Sequence, residues 1–285
     1  MEPDRYRAGS GKPLVLLHGI WESWHSWSAV LERLSAERDV LALTLRGHLG
    51  SEPFTAGEAP TIQAWVDAVE AQLDAAGFEQ PDIAGNSLGG WLALELAKRG
   101  RARSVVGVAP AGLFTRDEGR AFAKKFRRDH RTVRILLPLA RRVVRTRRGR
   151  RLLLADACVD PGRIPAEEAE RLVVEFAYCD TPAHLAANTL PDGTFARLEG
   201  LESVSCPVLI LYPAGDRVLS REHAERFLAE LPHAELRELP DCGHTAMFDD
   251  PELVASQILT FTAADSTAPG SPAGEPAPRG SATSP

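Results

Sequence analysis

The chain has 285 residues, of which 44% are hydrophobic and 25% charged, and its formal net charge is −6. This composition is ordinary for a globular protein with one sizeable core, and no apolar run approaches the roughly 20 residues that span a bilayer. Residues 1–12 are polar and lack the apolar centre of a signal peptide. We therefore expect no stable membrane insertion and a cytoplasmic location.

Short apolar runs alternate with helical patterns in the first part of the chain. The best-defined helix has apolar residues three or four apart, begins with Thr61 as its cap and ends before Gly77. Such alternation of strand and helix predicts a parallel sheet with helices on both faces. The predicted strands are residues 14–17, 40–43, 82–84 and 105–109, and the predicted helices are residues 61–76 and 88–98.

The alternation stops after residue 113. Residues 114–190 contain no convincing buried strand and have the pattern of amphipathic helices punctuated by prolines, which predicts a helical insertion. We therefore divide the chain into a core of residues 1–113 and 191–262, a helical cap of residues 114–190, and a tail of residues 263–285. The tail is rich in Ala, Pro, Gly, Ser and Thr and is predicted to be disordered. The later core elements are predicted strands at 208–212 and 235–239 and helices at 221–231 and 251–261.

Charge is distributed unevenly along the chain. Residues 124–151 contain thirteen Lys or Arg residues and a single acid, Asp129. Such a block attracts anionic substrates, membranes or nucleic acid in some proteins. Here it is interleaved with Leu, Ile and Val, as packed helices require, so we interpret it as the solvated face of a helix pair. We predict no nucleic-acid partner.

The segment Gly85-Asn86-Ser87-Leu88-Gly89 fits the pattern G-x-S-x-G. An apolar strand end precedes it and a helix follows it, which is the setting of a nucleophile elbow. The small residues Gly85, Gly89 and Gly90 allow the tight turn that lifts a serine hydroxyl clear of a sheet. The start of the helix favours developing negative charge nearby. These features predict Ser87 as a catalytic nucleophile.

A serine hydroxyl needs a base to become a good nucleophile. Of the eight histidines, only His18 and His244 follow a strand end beside a glycine, and we predict His244 as the base and His18 as a structural residue. Asp216, just past the strand at 208–212, is predicted to orient His244, and the order Ser87, Asp216, His244 is that of an α/β-hydrolase triad. Among the other histidines, His25 is expected beside a pocket or packed against tryptophans, and surface positions are predicted for His130, His184, His223 and His233.

Acyl transfer also needs backbone N–H donors for the oxyanion. Leu88, directly after the nucleophile, is one predicted donor, and Ile20, in the loop after the first central strand, is the other. The residues expected to line the substrate pocket between sheet and cap are Trp21, Trp24, Phe114 and Met247.

The four cysteines form no C-x-x-C pair, and their spacing fits no metal site. We therefore predict reduced, partly buried thiols and expect neither a metal nor another cofactor.

Taken together, these motifs resemble the α/β-hydrolase superfamily, in its branch of capped esterases, C–C bond hydrolases and haloperoxidase-like enzymes. The resemblance implies an α/β-hydrolase fold, with a mostly parallel central sheet flanked by helices and a helical cap inserted between strand 6 and the following core elements. Residues 1–12 are too few for the family's first hairpin, so at least one edge strand is expected to be missing. Thr44 stands where the family often has Asp. The matching segments are residues 13–19, 46–48, 85–90, 215–216 and 243–244.

The function predicted from these residues is hydrolysis of a small-molecule carboxylic ester or thioester through an acyl-Ser87 intermediate. Haloalkane dehalogenases and epoxide hydrolases are similar in pattern but have Asp at the nucleophile position, so Ser87 argues against them. C–C bond hydrolysis of a diketone ring-cleavage product is an alternative, since Asn86 and residues 110–113 resemble that group, although Thr245 stands where those enzymes often have Trp. A non-hydrolytic relative, such as a cyclase or a ligand receptor, is a third possibility.

Overall fold

The computed structural model describes residues 4–192, 194–231 and 233–263. Its strands are β1 (Arg5–Ala8), β2 (Pro13–Leu17), β3 (Asp39–Leu43), β4 (Asp82–Asn86), β5 (Ser104–Val108), β6 (Val208–Pro213) and β7 (Ala234–Leu239). They form one sheet in the order β1-β3-β2-β4-β5-β6-β7. Only β1 runs antiparallel to its neighbour, and the remaining pairs are parallel. The prediction of a mostly parallel sheet is confirmed.

Eleven α-helices accompany these strands in the described residues. They are α1 (Ser28–Ser35), α2 (Ile62–Ala76), α3 (Leu88–Lys98), α4 (Arg116–Ile135), α5 (Leu137–Val144), α6 (Arg147–Leu153), α7 (Ala166–Tyr178), α8 (Thr181–Ala187), α9 (Arg221–Glu230), α10 (Ala246–Asp249) and α11 (Pro251–Ala263). Short 3₁₀ helices lie at Trp24–Trp27, Pro161–Arg163 and Leu201–Ser203.

Local sequence signals explain where these elements begin and end. The Thr61 hydroxyl accepts a hydrogen bond from the N–H of Ala64 at the start of α2, and Gly77 closes the same helix at φ 75°, a left-handed conformation that suits glycine. Thr115 and Glu118 cap α4 reciprocally, each side chain accepting from the other's backbone N–H. The central strands β4 and β5 are buried along their whole length, as expected for a parallel sheet covered on both faces.

Two apolar clusters cover the two faces of the sheet. One contains Trp65 of α2 and Leu92 of α3, and the other contains Trp27, Leu34 of α1 and Ile258 of α11. The sheet therefore forms the central layer between two layers of helices, and its strand ends are held rigidly where loops emerge.

The N-terminal segment supplies one edge strand, β1, and the helical insertion follows β5. The insertion contains α4 to α8, in agreement with the helices expected over residues 114–190. The predicted tail, residues 263–285, lies outside the described residues except for residue 263, which ends α11. Across the described ranges, no helix is both long enough and apolar enough to cross a membrane.

Candidate active site

Ser87 lies on a sharp turn between β4 and α3. Its backbone has φ 51° and ψ −112°, a conformation that costs a non-glycine residue about 1–3 kcal/mol. The turn is possible because Gly85 and Gly89 have no side chains: a Cβ on Gly85 would collide with the carbonyl of Gly89, and one on Gly89 with the carbonyl of Leu17. The serine N–H donates to Val108 O at 3.0 Å, which ties the turn to β5.

His244 and Asp216 meet at the ends of neighbouring strands. Asp216 follows β6 and His244 follows β7, and the distance from His244 Nδ1 to Asp216 Oδ2 is 2.8 Å. The other carboxylate oxygen accepts from the N–H groups of Val218 and Leu219, at 2.7 and 3.0 Å. The Asp216 side chain is fully buried. These contacts fix the carboxylate, and with it the orientation of the imidazole.

Opposing effects act on the His244 imidazole. Burial favours its neutral form, but the charge of Asp216 and the hydrogen bond to it, helped by Glu22, raise the pKa of His244 above its ordinary value. Because Nδ1 faces Asp216, Nε2 is the nitrogen left to exchange a proton with a neighbouring group.

Asn86 joins the serine turn to the histidine loop. Its side-chain amide donates to Val108 O and to His244 O, each at 3.0 Å. The neighbouring Thr245 N–H donates to Ala157 O of the helical insertion at 2.8 Å. The two loops are thus braced against each other and against the insertion.

The predicted oxyanion donors lie beside Ser87. Leu88 begins α3, and Ile20 lies in the loop after β2, which borders the same cavity as Ser87. Among the hydrogen bonds between described residues, neither backbone N–H has an acceptor. Trp21, the next residue in that loop, has φ 70°, so a second strained residue borders the cavity that contains Ser87.

A cavity of about 500 Å³ brings these groups together. Ser87 and His244 form part of its wall, with Ile20 and Trp21 of the β2 loop. Apolar side chains of the insertion complete the wall: Phe122, Phe126, Leu172, Val173 and Phe176. Trp21 packs on Phe126 with ring centroids 4.2 Å apart. The chamber is mostly apolar, with polar groups at the strand termini and with the charged side chains of Lys125, Arg128, Asp129 and Asp156 of the insertion also in its wall.

Three of the four residues expected in the pocket lie elsewhere, and that expectation is corrected. Trp24 stacks on His25 with centroids 3.7 Å apart and packs against the core. Met247 is completely buried in the same core, because the short helix α10 directs it inward. Phe114 borders an adjoining cavity of about 710 Å³. Only Trp21 borders the cavity that contains Ser87.

The histidine predictions met mixed outcomes. His18 is structural as expected: its Nε2 accepts from Leu45 N at 2.9 Å. His233 is exposed, as predicted. The prediction of surface positions for His130, His184 and His223 is wrong, since all three are at most 3% exposed. Each of these histidines lies on the inward-facing side of its helix. The residue type alone does not indicate which side of a helix will be buried.

The four thiols are free, as predicted. Folding nevertheless brings His48, Cys179 and His184 together, all buried, with their ligand atoms within 4.8 Å of one another. Among the described residues, these three side chains form a group that could hold a metal ion. The sequence analysis did not find it, because His48 is far from the other two residues along the chain. Burial lowers the pKa of His48 to about 3 and that of His184 to about 4, so both imidazoles are neutral packing groups around Trp65.

Glu22 is a site residue that the sequence reasoning missed. It borders the cavity, accepts from Gly19 N at 3.1 Å and is 3.4 Å from the Thr245 hydroxyl. Burial raises the pKa of this carboxyl, while the His244 charge opposes that effect. The sequence did contain a signal for this residue: Glu22 is an acid among the apolar residues Ile20, Trp21 and Trp24, shortly after a buried strand.

A second buried carboxyl, that of Glu175 on α7, links the helical insertion to the loop after β2. It accepts from the Ser23 hydroxyl at 2.5 Å. Burial raises the pKa of Glu175 to about 8, so the protonated form of this carboxyl predominates at neutral pH.

The raised pKa of Glu175 predicts how stability depends on pH. The unfolded chain releases this proton near pH 4.5 and the folded chain near pH 8, so the free energy of unfolding falls as pH rises between them. We expect Glu175→Gln to remove this loss and to stabilise the protein at pH 9 by about 2 kcal/mol or more. Urea unfolding at pH 5 and pH 9 measures the effect. The exposed Glu167→Gln on the same helix is the control, and a gain equal to that of the control would contradict the prediction.

Comparison with known proteins identifies the family of this fold and site. Residues 14–257 match the alpha/beta hydrolase family. The chain belongs to that family. Its seven-stranded sheet and flanking helices are an α/β-hydrolase fold, and a thermophilic esterase from Thermogutta terrifontis superposes with a TM-score of 0.71 at 23% identity, covering 91% of this chain and 92% of that structure.

Two curated members of the alpha/beta hydrolase family show the range of similar chains. Epoxide hydrolase EphH of Mycobacterium tuberculosis is 34% identical over 199 residues, covering 68% of this chain and 92% of the relative. The pimeloyl-[acyl-carrier protein] methyl ester esterase of Aromatoleum aromaticum is 32% identical over 246 residues, covering 84% and 93%. The chain is therefore a hydrolase of this family.

Proposed function

We propose that this chain is a serine hydrolase that cleaves a small-molecule carboxylic ester or thioester through an acyl-Ser87 intermediate. The observation that carries the proposal is the pairing of His244 Nδ1 with Asp216 at 2.8 Å, in a cavity wall that also contains Ser87 on its strained turn. Nucleophile, base and orienting acid then have the roles of a triad.

The proposed reaction has two stages. In the first, His244 Nε2 takes the Ser87 proton as the oxygen attacks the acyl carbon, and it then gives that proton to the departing alcohol or thiol. In the second, the same nitrogen takes a proton from water as the water oxygen attacks the acyl-serine, and it gives that proton to Ser87 Oγ as the bond from this oxygen to the acyl carbon breaks and the acid is released. The N–H groups of Ile20 and Leu88 would stabilise the negative oxygen in both stages.

The helical insertion fits the role of a cap, because its apolar side chains form one wall of the cavity. A mostly apolar wall favours a small-molecule substrate with an apolar acyl group. The Aromatoleum relative is named for the hydrolysis of a carboxylic methyl ester, which in that case is carried by an acyl-carrier protein. The cytoplasmic location stays a prediction.

Epoxide opening, the activity named for the Mycobacterium relative, fits Ser87 poorly. A carboxylate that attacks an epoxide forms an ester, which water can cleave with the help of a histidine. A serine that attacks an epoxide would form an ether, and a water molecule activated by a histidine does not hydrolyse an ether. The chemistry of the nucleophile therefore supports acyl transfer.

The C–C hydrolase alternative rested partly on Asn86. The side-chain amide nitrogen of Asn86 donates to two backbone carbonyls that brace the loops, so the presence of this residue does not by itself indicate C–C bond hydrolysis. Ester hydrolysis accordingly takes precedence. A serine-directed fluorophosphonate probe separates it from the cyclase or receptor alternative, because only an activated serine is labelled.

A substrate panel tests the proposed activity. A cavity of about 500 Å³ is at the smaller end of ligand sites, so kcat/KM for p-nitrophenyl esters is expected to peak at short or medium acyl chains and to fall about tenfold or more at palmitate. A vinylogous diketone and styrene oxide, assayed alongside, represent the competing activities. Turnover of either compound with no turnover of any ester would contradict the proposal.

A further inference from the structure

The helical insertion exposes an unusual amount of apolar surface. Seven of the eight large apolar side chains that are exposed among the described residues lie within residues 114–190. The most exposed are Leu152 at 74%, Ile135 at 66% and Tyr178 at 64%. Single exposed leucines are normal on a protein surface, but a concentration in one segment marks an interaction site.

Three successive helices repeat one pairing on their outer faces. Each presents an exposed aliphatic side chain three or four residues from an exposed arginine, so that both lie on one face. The pairs are Arg131 and Ile135 on α4, Leu139 and Arg142 on α5, and Arg148 and Leu152 on α6. A helix that lies in a membrane interface buries apolar side chains at the boundary between headgroups and acyl chains, while its basic side chains are attracted to anionic lipids.

Acidic side chains neutralise only part of the positive charge on α4, α5 and α6. Asp129 pairs with Lys125 and Arg128, and Asp160 lies 3.8 Å from Arg147. Glu170 pairs with Arg141 and Arg145, and Asp160 pairs with Arg151. Across residues 4–192, 194–231 and 233–263, a further set of exposed arginines has no acidic partner: Arg127, Arg131, Arg134, Arg142 and Arg148. A concentrated positive surface of this kind attracts anionic headgroups.

The same surface borders the mouth of the cavity. Arg128 and Leu152, both exposed, form part of the wall of the cavity that contains Ser87. The paired arginine and aliphatic side chains and the entrance to the site therefore belong to one region of the molecule.

We propose that α4, α5 and α6 dock this protein onto anionic lipid membranes. Ile135, Leu139 and Leu152 enter the boundary between headgroups and acyl chains, and the unpartnered arginines bind the phosphates. A fluid lipid surface accepts arginines and aliphatic side chains in alternation, whereas a folded acidic partner would need an acid opposite each arginine and an apolar depression between them. The docking does not depend on the chemistry assigned to Ser87.

Vesicle co-sedimentation of the full chain tests the docking. We expect at least about tenfold more bound protein on vesicles of phosphatidylcholine with about one quarter phosphatidylglycerol than on phosphatidylcholine alone, at about 0.1 M salt. Two triple variants are each expected to lose about tenfold or more of this binding: Ile135→Ser with Leu139→Ser and Leu152→Ser, and Arg131→Glu with Arg142→Glu and Arg148→Glu. The control is Leu190→Ser, which removes an exposed leucine of the same insertion outside these helices and is expected to bind normally.

Thermal unfolding of each variant separates loss of docking from loss of fold, since all six positions are exposed and an unchanged Tm is expected. Equal binding to both vesicle types, or retention of binding by the serine triple variant, would overturn the proposal. Absence of vesicle binding, with capture of the protein on polyglutamate-coated beads instead, would assign the surface to an acidic protein and overturn it as well. A dimer in sedimentation velocity that the serine substitutions dissociate would assign it to a second copy of the chain, with the same consequence.

Discussion

Replacement of Ser87 by alanine is expected to lower kcat/KM for a p-nitrophenyl ester by about 10⁴-fold or more. In the proposed mechanism no acyl-enzyme can form without this hydroxyl, and the proposed base and acid then have no nucleophile to act on. The strained backbone at φ 51° does not require a hydroxyl, so the variant should fold. Because alanine also has a Cβ, the backbone strain at this residue is expected to stay the same.

The Ser87 experiment has two readouts. Steady-state turnover gives the rate loss, and fluorophosphonate labelling followed by peptide mass spectrometry locates the modified residue at Ser87 in the parent and nowhere in the variant. The exposed Ser205→Ala is the matched control and should retain both activity and labelling. Full turnover by Ser87→Ala, or labelling at another serine, would remove the proposed nucleophile.

Substitution of Asp216 by asparagine is expected to change both the rate and its dependence on pH. In the proposed mechanism the neutral imidazole of His244 is the active form, so in the parent kcat/KM is expected to rise with pH through the raised pKa of this residue, above the ordinary value of 6.5. Asparagine removes the charge that raises this pKa but leaves the burial that lowers it. The acid limb of the profile should therefore move to lower pH.

The same substitution should lower the plateau rate by about 10³- to 10⁴-fold, because the amide no longer holds the imidazole in the required tautomer. Profiles of kcat/KM between pH 4.5 and pH 9 measure both effects. Asp241→Asn, at an exposed carboxyl on the same loop as His244, is the control and should leave limb and plateau in place. An unmoved acid limb in Asp216→Asn would show that another group controls the titration.

Much of the core followed from local sequence. The strand at residues 14–17, the Thr61 cap and the Gly77 stop of α2 agree with the structure because periodicity and capping act over a few neighbouring residues. The glycines around Ser87 likewise specify a tight turn wherever the chain places it. These signals also located the residues proposed for the triad, since each lies in the loop directly after a strand.

The packing of the helical insertion could be predicted less well from the sequence. Its helices were predicted, but the inward direction of His130 and His184 was not, because each helix there packs against another part of the chain and sequence does not state which. Glu22 and Glu175 were missed for the same reason: their raised pKa values arise from burial between segments more than a hundred residues apart along the chain.

The sequence by itself determined the strand and helix order, the elbow at Ser87 and the candidates Asp216 and His244, because short-range periodicity, caps and turn residues encode them. Only the tertiary structure decided that Asp216 and His244 lie 2.8 Å apart, that Trp24 and Met247 face the core, and that Arg131 and Ile135 stay exposed. The physical reason is that contact, burial and charge at a site depend on how distant segments pack, which no local pattern specifies.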